Sequence, residues 1–260
     1  MKKYLFNFLG RKYYIRSLHL SFHFLYNIGA LKNDYIYKYH YFDKKVIRKG
    51  DVVLDIGANL GYYTKLFAKW VGDKGAVYAV EPIVMFADTI KWGTQKYKNI
   101  TVYNYALGEA EKEVTLSAPG DYGYLRTGLP SIDTEHKQKT TSDFTFNAMM
   151  KKGSLLFKDL PKIDFIKMDI EGYEYIVLLE MEPILKKHKP VIQVETWGEH
   201  KPIVEEYLTS LGYKIYDLET EEHILKPIEN IKNWVQGDLL FIHNDNNSVI
   251  DRLRKIHAAQ

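Results

Sequence analysis

The sequence predicts a doubly wound α/β fold, with a mostly parallel sheet, helices on both of its faces and a helical N-terminal extension. Three observations predict it. From residue 50 onward, short apolar runs alternate with amphipathic stretches, the pattern of strands buried on both faces and joined by crossover helices. The first of these runs ends directly in a glycine-rich turn that opens a helix. The chain has 260 residues, 46 % hydrophobic and 27 % charged, which is enough apolar material for one large core.

The elements follow in chain order. Ile15, Leu18, Phe22, Leu25 and Ile28 recur at three- and four-residue spacing, so residues 15–28 read as a helix. Lys49-Gly50-Asp51 turns the chain into its body. Val52–Ile56 reads as a buried strand, Gly57–Gly61 as a turn, and Tyr62–Val71 as a helix closed by Gly72. Ala76–Val80 is a second strand ending at Glu81-Pro82, residues 84–97 a helix, and residues 100–106 a third strand. Residues 111–117 read as a further strand, an arm of a hairpin. Residues 118–160 carry Gly120, Gly123, Gly128, Pro130 and a polar stretch at 134–143. They read as an irregular insertion or lid, with short structure near Phe144–Met150. Regularity then returns: strand Ile163–Met168, helix 174–188, strand Val191–Val194, and helix 201–211 ended by Gly212. Tyr213–Leu218 and Asp238–His243 close the sheet as an antiparallel pair. The expected organisation is an extension over residues 1–45, or a helical cap that packs on the sheet and closes the site, and a main domain over 46–260.

Charge is distributed unevenly. The net charge is +3, but residues 1–45 carry +7 and the remainder −4, and those 45 residues hold 13 of the 37 aromatics. The N-terminal part is basic and aromatic, and the body is mildly acidic. No run of about 18 uncharged apolar residues occurs, so a membrane-spanning helix is not expected. Arg11, Lys12 and Arg16 interrupt the opening apolar patch, so it does not read as a secretory leader, and a cytoplasmic location is expected. Residues 1–45 could add contact with a membrane surface through Lys/Arg and Phe/Tyr side chains. The chain has no cysteine, which excludes disulfides and thiolate metal sites.

Three strand ends carry the chemistry. The first is Asp55-Ile56-Gly57-Ala58-Asn59-Leu60-Gly61. Glycines there let the backbone approach a ligand, the helix start at Gly61 supplies free N–H groups for a carboxylate, and Asp55 can accept from an ammonium. An amino-acid zwitterion, such as the methionine end of S-adenosylmethionine, needs both partners. Glu81 ends the next strand, 20 residues beyond Gly61, where an open α/β sheet places an acid on two ribose hydroxyls. A dinucleotide site would want glycine where Asp55 stands, because a carboxylate repels a pyrophosphate. The second strand end is Asp169-Ile170-Glu171-Gly172-Tyr173-Glu174, whose acids suit a general base, a hydroxyl orienter or a metal. Glu174 also reads as an acid stabilised at a helix N-terminus. The third is Glu195, followed by Trp197 and His200. Asp169 and Glu195 end adjacent strands, an arrangement suited to Mg²⁺ with oxygen ligands or to gripping a sugar diol, on which Trp197 could stack. His136 and His200 are weaker base candidates from their loop positions, and neither they nor His223 and His243 show paired spacing.

Arg48–Pro82 (RKGDVVLDIGANLGYYTKLFAKWVGDKGAVYAVEP), Asn104–Glu109 (NYALGE) and Ile163–Glu174 (IDFIKMDIEGYE) together resemble the FkbM family of methyltransferases. The resemblance spans roughly residues 46–243 and is poor over 118–160. It implies a seven-stranded class I methyltransferase sheet whose last strand is antiparallel, with S-adenosylmethionine as cofactor. It further implies O-methylation of a sugar, glycan or natural-product hydroxyl, so the expected partner is a small-molecule or glycan acceptor. By family position Asp55, Gly57, Ala58, Asn59, Gly61, Glu81 and Asp169 would bind the cofactor, with Ala106 near the adenine. Tyr105 stands where many class I enzymes carry an acid. Asp169 and Glu171 would face the transferred methyl, with Glu195 as a second carboxylate. Two other readings compete. An RNA methyltransferase would use residues 1–45 as a nucleic-acid arm. Against it stand the acidic body and the lack of an Asn/Asp-Pro-Pro-Tyr-like motif at the fourth strand. A scaffold at a membrane surface would keep the fold without the activity.

Overall fold

The structure is a computed structural model that describes residues 2–34, 36–119, 124–132, 144–195, 200–219, 224–227 and 238–258. Its main sheet is built from β1 (Val52–Ile56), β2 (Ala76–Val80), β3 (Ile100–Tyr103), β8 (Phe165–Met168), β9 (Val191–Glu195), β10 (Tyr213–Glu219), β11 (Ile224–Pro227) and β12 (Asp238–His243). The spatial order is β11-β10-β12-β9-β8-β1-β2-β3. β3, β2, β1, β8 and β9 pair in parallel, and β12 runs antiparallel to both β9 and β10. The seven expected strands are thus present, with short β11 added at the edge by an antiparallel pairing to β10.

Side-chain alternation in the strands explains the two helical layers. Leu54, Ile56, Ile166, Met168, Ile192 and Val194 point to one face, where α6 (Glu174–Glu180), α7 (Glu182–His188) and α8 (His200–Ser210) bury Val177, Leu185 and Leu208. Val53, Val77, Phe165, Val191 and Leu240 point to the other. There α2 (Lys38–Val46), α3 (Tyr62–Val71) and α9 (Asn247–Ala258) bury Phe42, Phe67 and Leu253. α1 (Lys2–Asn27) and α4 (Val84–Thr94) form a further apolar cluster, in which Phe6, Tyr14 and Ile15 meet Phe86.

Three expectations need correction. The helix expected over 15–28 begins at Lys2 and ends at Asn27, with a kink at Gly10 (φ 71°, ψ 164°) that hides its first turns from a simple periodicity. The helix expected over 174–188 is two helices that change at Met181, and Pro183 sits in the first turn of the second, where its missing N–H costs nothing. The strand expected over 100–106 stops at Tyr103. Asn104 turns away and donates its side-chain N–H to the carbonyls of Glu81 and Pro82, at 2.8 and 2.9 Å.

Beyond that turn lies a second sheet. β4 (Ala106–Leu107), β5 (Lys112–Ala118), β6 (Ser131–Ile132) and β7 (Phe144–Lys151) are ordered β4-β7-β5-β6. β5 and β7 pair antiparallel along seven residues, so the stretch read at 111–117 is a strand, joined to its partner by a long connection that contains β6. The span read as irregular contains regular structure at both of its described ends, including α5 (Gly153–Leu156). The polar stretch at 134–143 lies outside the described residues.

Candidate functional site

β1, β2, β8 and β9 end side by side, and two chambers open at these ends. The first is lined by Gly57, Asn59, Glu81, Ala106, Asp169 and Glu171, with an apolar wall from Ile83, Phe86, Leu107 and Leu116. The second has a volume of about 550 Å³ and is lined by Lys167, Asp169, Glu195 and Asp238 on the sheet side. The helices opposite supply Tyr14 and Tyr37, with His40, Tyr62 and Tyr63. Gly57, Asn59 and Asp169 border both chambers.

The turn after β1 is fixed by steric and hydrogen-bonding demands. Gly57 has φ 79°, and a Cβ there would overlap the carbonyl oxygen of Asp169, so only glycine lets β1 and β8 end this close together. Asn59 is also left-handed, at φ 50°. Its N–H donates to Glu81 Oε2 at 2.8 Å, and Ile83 N–H donates to Glu81 Oε1 at 2.8 Å. Asn59 Nδ2 donates to the carbonyl of Thr127 at 2.9 Å, while Asn59 Oδ1 is buried with no partner among the described residues. Gly61's own N–H donates to the carbonyl of Ala58 at 2.8 Å. Gly57 and Ala58 both donate to Val80 O. Among the described residues the N-cap of α3 makes no side-chain bond, so the N–H groups at the start of α3 are the ones left for a ligand, apart from that of Thr64, which serves Asp55.

Asp55 is buried under the turn and borders neither chamber. It accepts from Thr64 Oγ1 at 2.5 Å, and burial pushes its carboxyl up to about 6 despite the neighbouring Lys167. Ala58 borders the second chamber, and Gly61 packs on Ile90. Glu81 is buried, which pushes its carboxyl up to about 8 against the two backbone N–H groups it accepts.

At the end of β8, Lys167 donates to Asp169 Oδ2 at 2.7 Å. Burial disfavours the Lys167 ammonium, but Asp169, Asp238 and Asp55 outweigh burial and raise its pKa, so it stays charged. Register explains the grouping. Asp55, Lys167 and Gln193 are cross-strand partners on three adjacent strands, and Gln193 donates to Asp238. Asp43 of α2 is buried against the same group, and burial followed by Asp238 raises its pKa well above the carboxylate range. Glu171 adopts φ 57°, unusual for a residue with a Cβ. Burial, then Asp169 and Glu195, push its carboxyl up to about 8. Glu195 is pushed up to about 7 by burial, then Asp169 and Asp238. Glu174 turns back to accept from the N–H groups of Ile170 and Gly172, so it holds the turn and serves structure.

The geometry brings together Gly57, Asn59, Glu81, Ala106, Asp169 and Glu171 around the first chamber, and Asp169 with Glu195 around the second. Tyr105 also borders the first. His200 opens α8 and is exposed, whereas Trp197, His136 and His223 lie outside the described residues. The Mg²⁺ expectation does not fit. The Asp169 carboxylate is already matched to the Lys167 ammonium, and among the described residues no group of three or more His, Asp or Glu side chains could hold a metal ion. Sequence reasoning missed Lys167, Asp238, His40 and Tyr63. For Lys167 a signal existed, since a lysine inside the apolar run Phe165–Met168 must be paired if the strand is buried on both faces.

Residues 55–215 match the Methyltransferase FkbM domain. A protein-L-isoaspartate O-methyltransferase of Ignicoccus hospitalis is 34 % identical over 77 residues, which cover 29 % of this chain and 35 % of that protein. Among solved structures, a methyltransferase FkbM of Methylobacillus flagellatus aligns with a TM-score of 0.48 and 19 % identity, over 74 % of this chain and 43 % of the other. A SAM-dependent O-methyltransferase of Thermotoga maritima aligns with a TM-score of 0.43 and 13 % identity, over 79 % and 64 % of the two chains. The chain therefore spans less than two thirds of each of these relatives.

Proposed function

This chain belongs to the FkbM family of methyltransferases, and we propose that it moves a methyl group from S-adenosylmethionine to a hydroxyl of a sugar, glycan or glycolipid-like acceptor. The observation that carries this reading is the junction of the two chambers. Because Gly57, Asn59 and Asp169 border both, ligands in the two chambers would meet at the end of β8.

The residues of the first chamber fit the cofactor. Each Glu81 oxygen accepts one backbone N–H and keeps a lone pair for a ribose hydroxyl. The orphaned Asn59 Oδ1 calls for a donor from a ligand. Ile83, Phe86 and Leu107, with Ala106 beside them, offer an apolar slot suited to a purine. Asp55, Ala58 and Gly61 contribute by shaping the turn. S-adenosylmethionine carries its methyl already activated on sulfur, so the protein's tasks are alignment and proton removal.

Those tasks fall to the acids. Glu171 takes the acceptor's proton, with a carboxyl tuned close to neutral pH. Asp169, fixed by Lys167, orients the hydroxyl, and Glu195 holds a neighbouring hydroxyl. The tyrosine wall of the second chamber suits the faces of a sugar ring, which favours a polyol acceptor.

Calorimetric titration with S-adenosylmethionine tests the reading, with NAD as control. Binding of the first alone is expected. Glu81→Ala should weaken it by about 10- to 100-fold, the cost of losing the hydrogen bonds of a buried carboxyl. S-adenosylhomocysteine release on addition of neutral sugars or glycolipids would then identify the acceptor. No binding by folded protein would overturn the proposal.

A further inference from the structure

α1 has two apolar faces. Tyr14, Ile15, Phe22 and Tyr26 face inward and are buried. Tyr13, Leu20 and Phe24, with Ile28 just past the helix end, are 53–64 % exposed. At 100° per residue these four fall within roughly 80° of arc, opposite the buried residues. Before the kink at Gly10, Tyr4 and Phe8 are exposed by more than four fifths. Nine of the fourteen large apolar side chains exposed among the described residues lie between Tyr4 and Ile36. Scattered exposed apolar residues need no explanation, but this concentration does.

The charge of the same segment selects the occupant. Residues 1–33 contain six Lys/Arg and no acid, and Lys2, Lys3, Arg11, Lys12 and Lys32 are exposed. A second copy of the chain would set these cations against one another. An anionic lipid surface would pair with them while taking up the aromatic and aliphatic side chains between them. No helix among the described residues is long and apolar enough to cross a membrane, so the segment would lie along the surface.

We propose that the exposed side chains of α1, with Tyr13, Leu20 and Phe24 on its outer face and Phe8 beyond the kink, flanked by Lys2, Lys3, Arg11 and Lys12, dock the protein on an anionic lipid bilayer. The proposal does not depend on the methyltransferase reading. Lys2, Tyr14 and Leu18 of the same helix also border the second chamber, so docking would bring that chamber close to the lipid surface.

Co-sedimentation with phosphatidylcholine vesicles, with and without phosphatidylglycerol, tests this. The full chain should bind the anionic vesicles at least about tenfold more tightly than the neutral ones, and less tightly as salt is raised. Phe8→Ser with Phe24→Ser, and separately Lys3→Glu with Lys12→Glu, should each weaken binding about tenfold or more. All four positions are exposed, and circular dichroism and calorimetric titration with S-adenosylmethionine will show that the variants keep the parent's fold. Equal binding to both vesicle types, unchanged binding by either variant, or no binding would overturn the proposal. So would a concentration-dependent dimer that the Phe8/Phe24 variant abolishes in protein that ignores vesicles.

Discussion

At Glu171 the backbone is left-handed, φ 57°, and the next residue, Gly172, has φ 99°. A non-glycine residue held there costs on the order of 1 kcal/mol or more, and such positions concentrate where function needs a side chain aimed against its local preference. The consequence here is a carboxyl beside two others, with its pKa pushed up to about 8, first by burial and then by Asp169 and Glu195. A base with that value is half-protonated just above neutrality and gains in fraction active as pH rises. The rate of acceptor methylation should therefore climb through pH 7 to 8, with an apparent pKa that belongs to the coupled acids together. Glu171→Gln should lower kcat by about 10²- to 10⁴-fold, the usual worth of a positioned base, and leave S-adenosylmethionine affinity within a few-fold. Single-turnover rates across pH, with calorimetric cofactor binding, check both halves. A variant that loses affinity and rate equally would make Glu171 a cofactor residue.

At the scale of elements, the most informative contact joins α1 to α2 and α3. The Phe22 ring stacks on Tyr62 at 4.3 Å and 24°, and it also meets Tyr37 and His40. Those three partners border the second chamber, so the same ring that fastens the helix also sets a wall of the chamber. Phe22→Ala should cost about 3 kcal/mol or more, read from chemical denaturation, and should raise KM for the acceptor while cofactor affinity holds. A loss under about 1 kcal/mol would mean that α1 is only loosely attached. The sequence carried the helix over 15–28 plainly, because Ile15, Leu18 and Phe22 keep helical spacing, although Leu25 and Ile28, which continue it, are exposed. It hid residues 2–14, because outward aromatics erase the contrast between faces and Gly10 breaks the period. The pairing of β5 and β7 was half legible for a related reason. Burial alternates along Phe144–Met149, yet a small inward Ala148 beside an outward Met149 blurs the sequence alternation.

For the whole molecule, the alternation of buried strands and amphipathic helices made the doubly wound sheet readable, and the strand-end acids followed from it. The cross-strand row Asp55–Lys167–Gln193 was not readable, because register is set in three dimensions between strands that lie far apart in the chain. Its assembly beside Glu81, Glu171 and Glu195 has a global consequence. These glutamates titrate at about 8, 8 and 7 in the folded chain, raised chiefly by burial, against an ordinary value of 4.5. Above pH 4.5 the unfolded chain releases these protons while the folded chain keeps them. The native state thus binds more protons, and stability falls as pH rises toward the folded values. The buried His19 and His40 act in the opposite sense. Burial lowers them to about 4 and 3, so they favour the folded state as pH rises, but only up to about 6.5, where the unfolded imidazoles have lost their protons. Between pH 6.5 and 8 the carboxyls act without that opposition. The melting temperature of the free protein should therefore fall across this window, by about 2–4 °C for each kcal/mol lost. Glu81→Gln, which keeps the shape and removes the charge, should flatten the fall. A melting temperature that is constant or rises from pH 6.5 to 8 would show that these glutamates are already ionised in the folded chain, and the proton-accepting role given to Glu171 would lose its tuning.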